Sequence, residues 1–171
     1  GGVYRYLYDE KRWKSLIDHV SMLDVEETFP IAVALDSEHP ERLYIACGIN
    51  GKPEGKLCIS EDYGESFIYR SIPTMVHGNL SGRGTGMRLV VDENDSDTLY
   101  FASQTGGLLR SRDRGISWEK LPLTEEYMTF VWVSPDGVTI VAGTAGLTTR
   151  PDDRHRGHSL YASYDSGNTF E

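Results

Sequence analysis

The sequence predicts an all-β protein: four-stranded antiparallel meanders, arranged as β-propeller blades. Three observations carry this reading. A short box, Ser-x-Asp-x-Gly-x-Ser/Thr-aromatic, occurs as SEDYGESF at Ser60–Phe67, SRDRGISW at Ser111–Trp118 and SYDSGNTF at Ser163–Phe170. Its starts lie 51 and 52 residues apart, a period that belongs to propellers and solenoids. Each box follows the same succession of short apolar runs and polar turns, and no stretch carries helical periodicity.

The elements recur in a fixed order. A first strand reads IAVALD (Ile31–Asp36), MRLVVD (Met87–Asp92) and TFVWVS (Thr129–Ser134). Turns rich in Asp, Asn, Pro and Gly follow (SEHPER, ENDSDT, PDGV), the residues that turns select. Second strands are LYIACG, LYFASQ and TIVAGT, and third strands are KLCIS, LLRS and LYAS, each running straight into a box. A fourth strand begins at the aromatic of the box, as in FIYRSI and WEKLPL.

This order divides the chain into the end of one blade (1–17), a blade (28–70), a second blade (85–123) and an incomplete one (128–171). Gly1–Leu16 aligns without a gap to Gly106–Leu121, matching Arg5 with Arg110, Trp13 with Trp118 and Leu16 with Leu121. The box itself has decayed there, with Tyr6, Tyr8 and Glu10 in place of Ser, Asp and Gly. About three blades fall short of the roughly four to eight of a closed propeller. The expectation is a segment of a seven-bladed propeller, or assembly with further copies.

A net charge of −9 with no basic run argues against nucleic acid and anionic membrane surfaces as partners. No apolar run approaches the roughly 20 residues of a membrane helix. The start, GGVYRYLYDE, shows neither a basic nor an apolar region of a signal peptide. Cys47 and Cys58 fall on adjacent strands, either as two small buried hydrophobes or as a cross-strand bridge. No cofactor is implied. His155 and His158 share a charged loop but fall short of a metal's ligand set, so no metal is expected.

The box has a folding role at every position. Gly64, Gly115 and Gly167 sit where a tight turn requires positive φ. Asp62, Asp113 and Asp165 are placed to accept backbone N–H bonds across the turn. Phe67, Trp118 and Phe170 start the fourth strand. A catalytic group is needed once or twice, not once per repeat, so these aspartates are expected to be structural. The long connections (18–30, 48–55, 71–86 and 143–158) gather on the opposite rim, where binding is expected. Candidate sugar-contacting residues are Asn79, Arg83 and Trp132. Arg88 and Trp132 also suit packing roles, and the acidic clusters Asp24/Glu26/Glu27 and Asp152/Asp153 suit a solvated rim.

HGNLSGRGTGMRLVVDENDSDTLYFASQTGGLLRSRDRGISWEKL (His77–Leu121) resembles the second-blade region of glycoside hydrolase family 74, whose pattern here is Gly-Gly-Asn-Met-Pro-Gly-Arg-Gly-x-Gly-Glu-Arg-Leu. Asn79, Gly82, Arg83, Gly84, Gly86, Arg88 and Leu89 match it. GGVYRYLYDEKRWKSLID resembles the family's Gly-Gly-Ala-Tyr-Arg-Trp segment, and the recurring box resembles Asp-box (BNR) repeats, which sialidases and sortilin-type receptors also carry. Met87 stands in place of the family's Glu, His77 in place of a Gly, and the loop GINGKPEG is short. The resemblance implies an extracellular enzyme that cleaves xyloglucan or a related β-1,4-glucan with inversion, between two propellers. It places the general base just before the Gly-Gly-x-Tyr-Arg segment and the general acid in the other propeller, both outside this chain. Inversion requires two carboxyls about 6.5–9.5 Å apart. The implied partners are a polysaccharide or oligosaccharide and further propeller blades. The alternative is a non-catalytic propeller that binds a glycan or protein.

Overall fold

Alternating apolar runs closed by Asp, Gly and Pro turns leave each segment long enough for a short strand and too short for a helix. A computed structural model describes residues 2–17, 29–49, 51–76, 86–125, 127–144 and 159–171. Among the described residues there are thirteen strands and no helix. They form four antiparallel sheets in chain order.

Sheet 1 is the hairpin of β1 (Tyr4–Leu7) and β2 (Arg12–Ser15). Sheet 2 is a meander of β3 (Pro30–Leu35), β4 (Leu43–Cys47), β5 (Gly55–Ser60) and β6 (Ile68–Ile72). Sheet 3 repeats it with β7 (Leu89–Asp92), β8 (Asp95–Ser103), β9 (Gly107–Ser111) and β10 (Glu119–Lys120). Sheet 4 has β11 (Met128–Val133), β12 (Ile140–Thr144) and β13 (Leu160–Ser163). Glu171 exchanges both backbone hydrogen bonds with Ala162, each at 3.0 Å, and so opens a fourth strand there.

Two details differ from the sequence expectation. β8 starts at Asp95, inside the turn, because Asp95 pairs directly with Asp92. The β1–β2 connection is only Tyr8–Lys11, and its positive φ falls on Lys11 (51°) rather than at the decayed glycine position. Without Ser and Asp to organise a longer turn, the hairpin closes early.

The core is three seams, one between each pair of successive sheets. Leu16, Leu43, Ile45, Cys47 and Cys58 fill the first. Tyr44, Leu57, Ile72, Leu89, Leu99 and Phe101 fill the second. Leu108, Leu121, Met128, Val131 and Ile140 fill the third. β3 packs against β7 and β7 against β11, so the first strands of successive sheets lie side by side, as the inner strands of a propeller do. Cys47 and Cys58 are free buried thiols 3.8 Å apart.

The seams are also stapled by polar contacts. Arg5 of sheet 1 donates to the Tyr63 carbonyl of the next box. Arg70 of β6 donates to the carbonyls of Asp113 and Arg114. Arg110 of β9 donates to the Ser166 carbonyl at 2.6 Å. Lower down the second seam, Ser96 donates to buried Asp36 at 2.9 Å, and Arg42 pairs with the same carboxylate at 3.0 Å.

Candidate functional site

The two ends of the sheets have different chemistry. At the box end, each serine hydroxyl donates to its aspartate Oδ1 at 2.7–2.8 Å and accepts the glycine N–H at 2.7–2.8 Å. The Ser/Thr four residues beyond the aspartate donates its N–H to the same Oδ1 at 2.8–2.9 Å and its hydroxyl to Oδ2 at 2.5–2.7 Å. Both oxygens are thus held by local donors. The hydroxyl of Ser66 is the main cause holding Asp62 down at a pKa of about 2; Ser117 acts likewise on Asp113, and the Thr169 N–H on Asp165. A carboxylate so weakly basic is a poor proton acceptor near neutral pH.

The turn needs two successive left-handed residues. Tyr63–Gly64, Arg114–Gly115 and Ser166–Gly167 have φ of 60°/85°, 57°/85° and 56°/85°. Only glycine takes the second position without crowding the seam. A Cβ on Gly115 would lie 2.5 Å from Leu57 of the preceding sheet, and one on Gly64 2.8 Å from Leu16. The sequence pattern marks the glycine but not its left-handed predecessor.

Binding is expected at the opposite rim. Asn79 and Arg83, with Asp24, Glu26, Glu27, Asp152, Asp153, His155 and His158, lie outside the described residues. Among the described residues, a cavity of about 370 Å³ opens beside the β4–β5 connection, lined by Lys52, Glu54, Lys56, Tyr69 and Ser71 among others. Tyr69 is 44% exposed, with Lys56 Nζ 5.2 Å from its ring centre. Ser71 donates to Glu54 at 2.6 Å. Sequence reading missed Tyr69, because a single tyrosine in FIYRSI has no signal separating a seam residue from a rim residue.

Trp132 sits on β11, 44% exposed and paired with Val141. Counting back from each box, its counterparts are Ala34 and Val90, which pair with Tyr44 and Tyr100. Ala34 is buried in the seam with the following sheet, and Val90 packs against the next seam. Trp132 therefore faces the side on which a following sheet would lie.

Known proteins match this chain across its length. A xyloglucanase from a Paenibacillus species is 32% identical over 190 residues, which cover 99% of this chain and 18% of that protein. Xyloglucanase Xgh74A of Acetivibrio thermocellus is 30% identical over 191 residues, 100% of this chain and 23% of its own. The crystal structure of the GH74 enzyme of Niastella koreensis covers this whole chain with a TM-score of 0.84 at 27% identity, using 26% of its own length. No protein-family model matches the chain. It spans about a fifth of the length of the curated relatives it matches. Sequence and fold together place this chain among the xyloglucanase-like propellers of glycoside hydrolase family 74, as a segment of one.

Proposed function

We propose that this chain is part of an extracellular glycoside hydrolase that cleaves xyloglucan or a related β-1,4-glucan by inverting hydrolysis. The segment supplies scaffold and substrate-binding rim. The observation that carries this is the similarity to xyloglucanases over the whole chain, joined to the match of fold. The box aspartates are absorbed by their turns, so the two reacting carboxylates come from elsewhere in the enzyme. Asn79 and Arg83 on the rim contact sugar hydroxyls. Trp132 closes the seam with the next blade, as Ala34 and Val90 do in their own sheets, rather than stacking on a sugar.

The test is release of reducing sugar from tamarind xyloglucan by the full-length protein and by this chain alone. Activity confined to the full-length protein, with the α-anomer released first, supports the reading. A full-length protein that is retarded by xyloglucan in an affinity gel but releases no sugar establishes the second reading, a glycan-binding propeller. Met87, 55% exposed where the family has Glu, favours that alternative.

A further inference from the structure

Arg88 directly precedes β7, the inner strand of sheet 3, at the rim end, two residues beyond Gly86. It is 1% exposed. Its Nε donates to the Ala102 carbonyl at 2.8 Å, and the guanidinium lies 5.3 Å from the Phe101 ring centre. Nη1 and Nη2 are both buried and have no acceptor among the described residues. Burial lowers its pKa to about 10, which leaves it charged at neutral pH.

A buried cation with two unmatched donors is among the costliest groups a fold can carry. Arg5, Arg70 and Arg110 each donate across a seam to a carbonyl of the next box. Among the described residues, the strands around Arg88 offer it no acid. β11 (Met128–Val133) has no titratable side chain. Asp92, Asp95 and Asp97 lie at the far end of the β7–β8 hairpin, with Tyr100 facing Asp92. Yet Nη1 and Nη2 present two parallel N–H donors, the spacing that matches the two oxygens of one carboxylate. The position is well held: Val131 donates to the Met87 carbonyl at 2.9 Å, and Gly86 lies directly against Phe130.

We infer that the Arg88 fork is a carboxylate-binding site at the rim end of sheet 3, beside Ala102 and Phe101. The carboxylate is supplied either by a side chain of the protein or by an acidic sugar such as a uronic acid. The inference is independent of whether the enzyme cleaves xyloglucan.

The experiment is thermal unfolding of the full-length protein between pH 5 and 8, as wild type, Arg88→Met and Arg88→Lys, with and without sodium glucuronate. With a protein carboxylate, Arg88→Met lowers Tm at pH 8 by more than about 5 °C, because the abandoned acid stays buried and charged. The deficit narrows towards pH 5 as that acid, its pKa raised by burial, takes up a proton. Arg88→Lys keeps the charge and recovers much of the loss. With a ligand carboxylate, the deficit appears only with glucuronate, which raises the Tm of the wild type alone. The proposal is overturned by an Arg88→Met variant as stable as the wild type and indifferent to glucuronate. A deficit that is independent of glucuronate and unchanged between pH 8 and pH 5, or a Lys variant no more stable than the Met variant where the Met variant shows a deficit, overturns it equally.

Discussion

The seam between sheets 2 and 3 can be tested from both sides at Leu57 and Gly115. Leu57 is fully buried, and its Cδ2 lies 2.5 Å from where a Cβ on Gly115 would sit. Leu57→Ala removes a core side chain and costs about 2–5 kcal/mol. Gly115→Ala places a side chain at φ 85°, a conformation that costs about 1–2 kcal/mol. The new methyl also collides with Leu57, which adds about 1–3 kcal/mol of overpacking. In the double variant the collision is gone and the conformational cost remains. Its destabilisation should therefore fall short of the sum of the singles by about 1–3 kcal/mol. The assay is urea unfolding of the full-length protein followed by tryptophan fluorescence, with the slope checked for constancy across the four proteins. Additivity within about 0.5 kcal/mol would refute the reasoning, since it would mean that box and core do not compete for one space.

Arg110, 5% exposed, bridges Glu119 at 2.7 Å and the Ser166 carbonyl at 2.6 Å. Arg110→Met keeps the packing and loses the charged bond across the third seam, a loss of about 1.5–3 kcal/mol in the same urea assay. The box carboxylates set an acid limit. Their folded pKa of about 2 lies below the ordinary 3.8, so their contribution is complete above about pH 4 and is lost as pH falls towards 2. Tm should drop across that window, and Asp113→Asn should flatten the drop while lowering Tm at pH 7. Trp132→Ala should lower Tm and leave the KM for xyloglucan unchanged; a raised KM with an unchanged Tm would return Trp132 to the sugar.

Much of this was legible in the chain. The box at 51- and 52-residue intervals announces a repeat, because a turn with two left-handed residues needs its serine, aspartate and glycine at set positions every time. Period-two alternation announces strands, and the polar runs announce their turns. The family likeness follows from Asn79, Gly82, Arg83, Gly84, Gly86, Arg88 and Leu89, which stand at the spacing of the family pattern. The arginine staples had a faint local sign, since Arg110 interrupts the apolar run LLRS, but their acceptors lie 56 and 58 residues away at Ser166 and Tyr63.

The facing of each side chain belonged to tertiary structure alone. In a sheet covered on one side, alternation separates core from solvent. In a blade both sides meet another blade, so alternation separates only the preceding neighbour from the following one. Ala34, Val90 and Trp132 are equivalent in register, yet only the sheets packed beside them decide which is covered. Arg88 shows the same limit: its position suits a packing role in the sequence, but its burial and its two unmatched N–H groups belong to the folded sheets. The sequence by itself determined the repeat, the turns and the order of strands, because those are set by interactions within a few residues. Burial, stapling and the unmatched charge of Arg88 were decided by contacts between sheets, which no local pattern encodes.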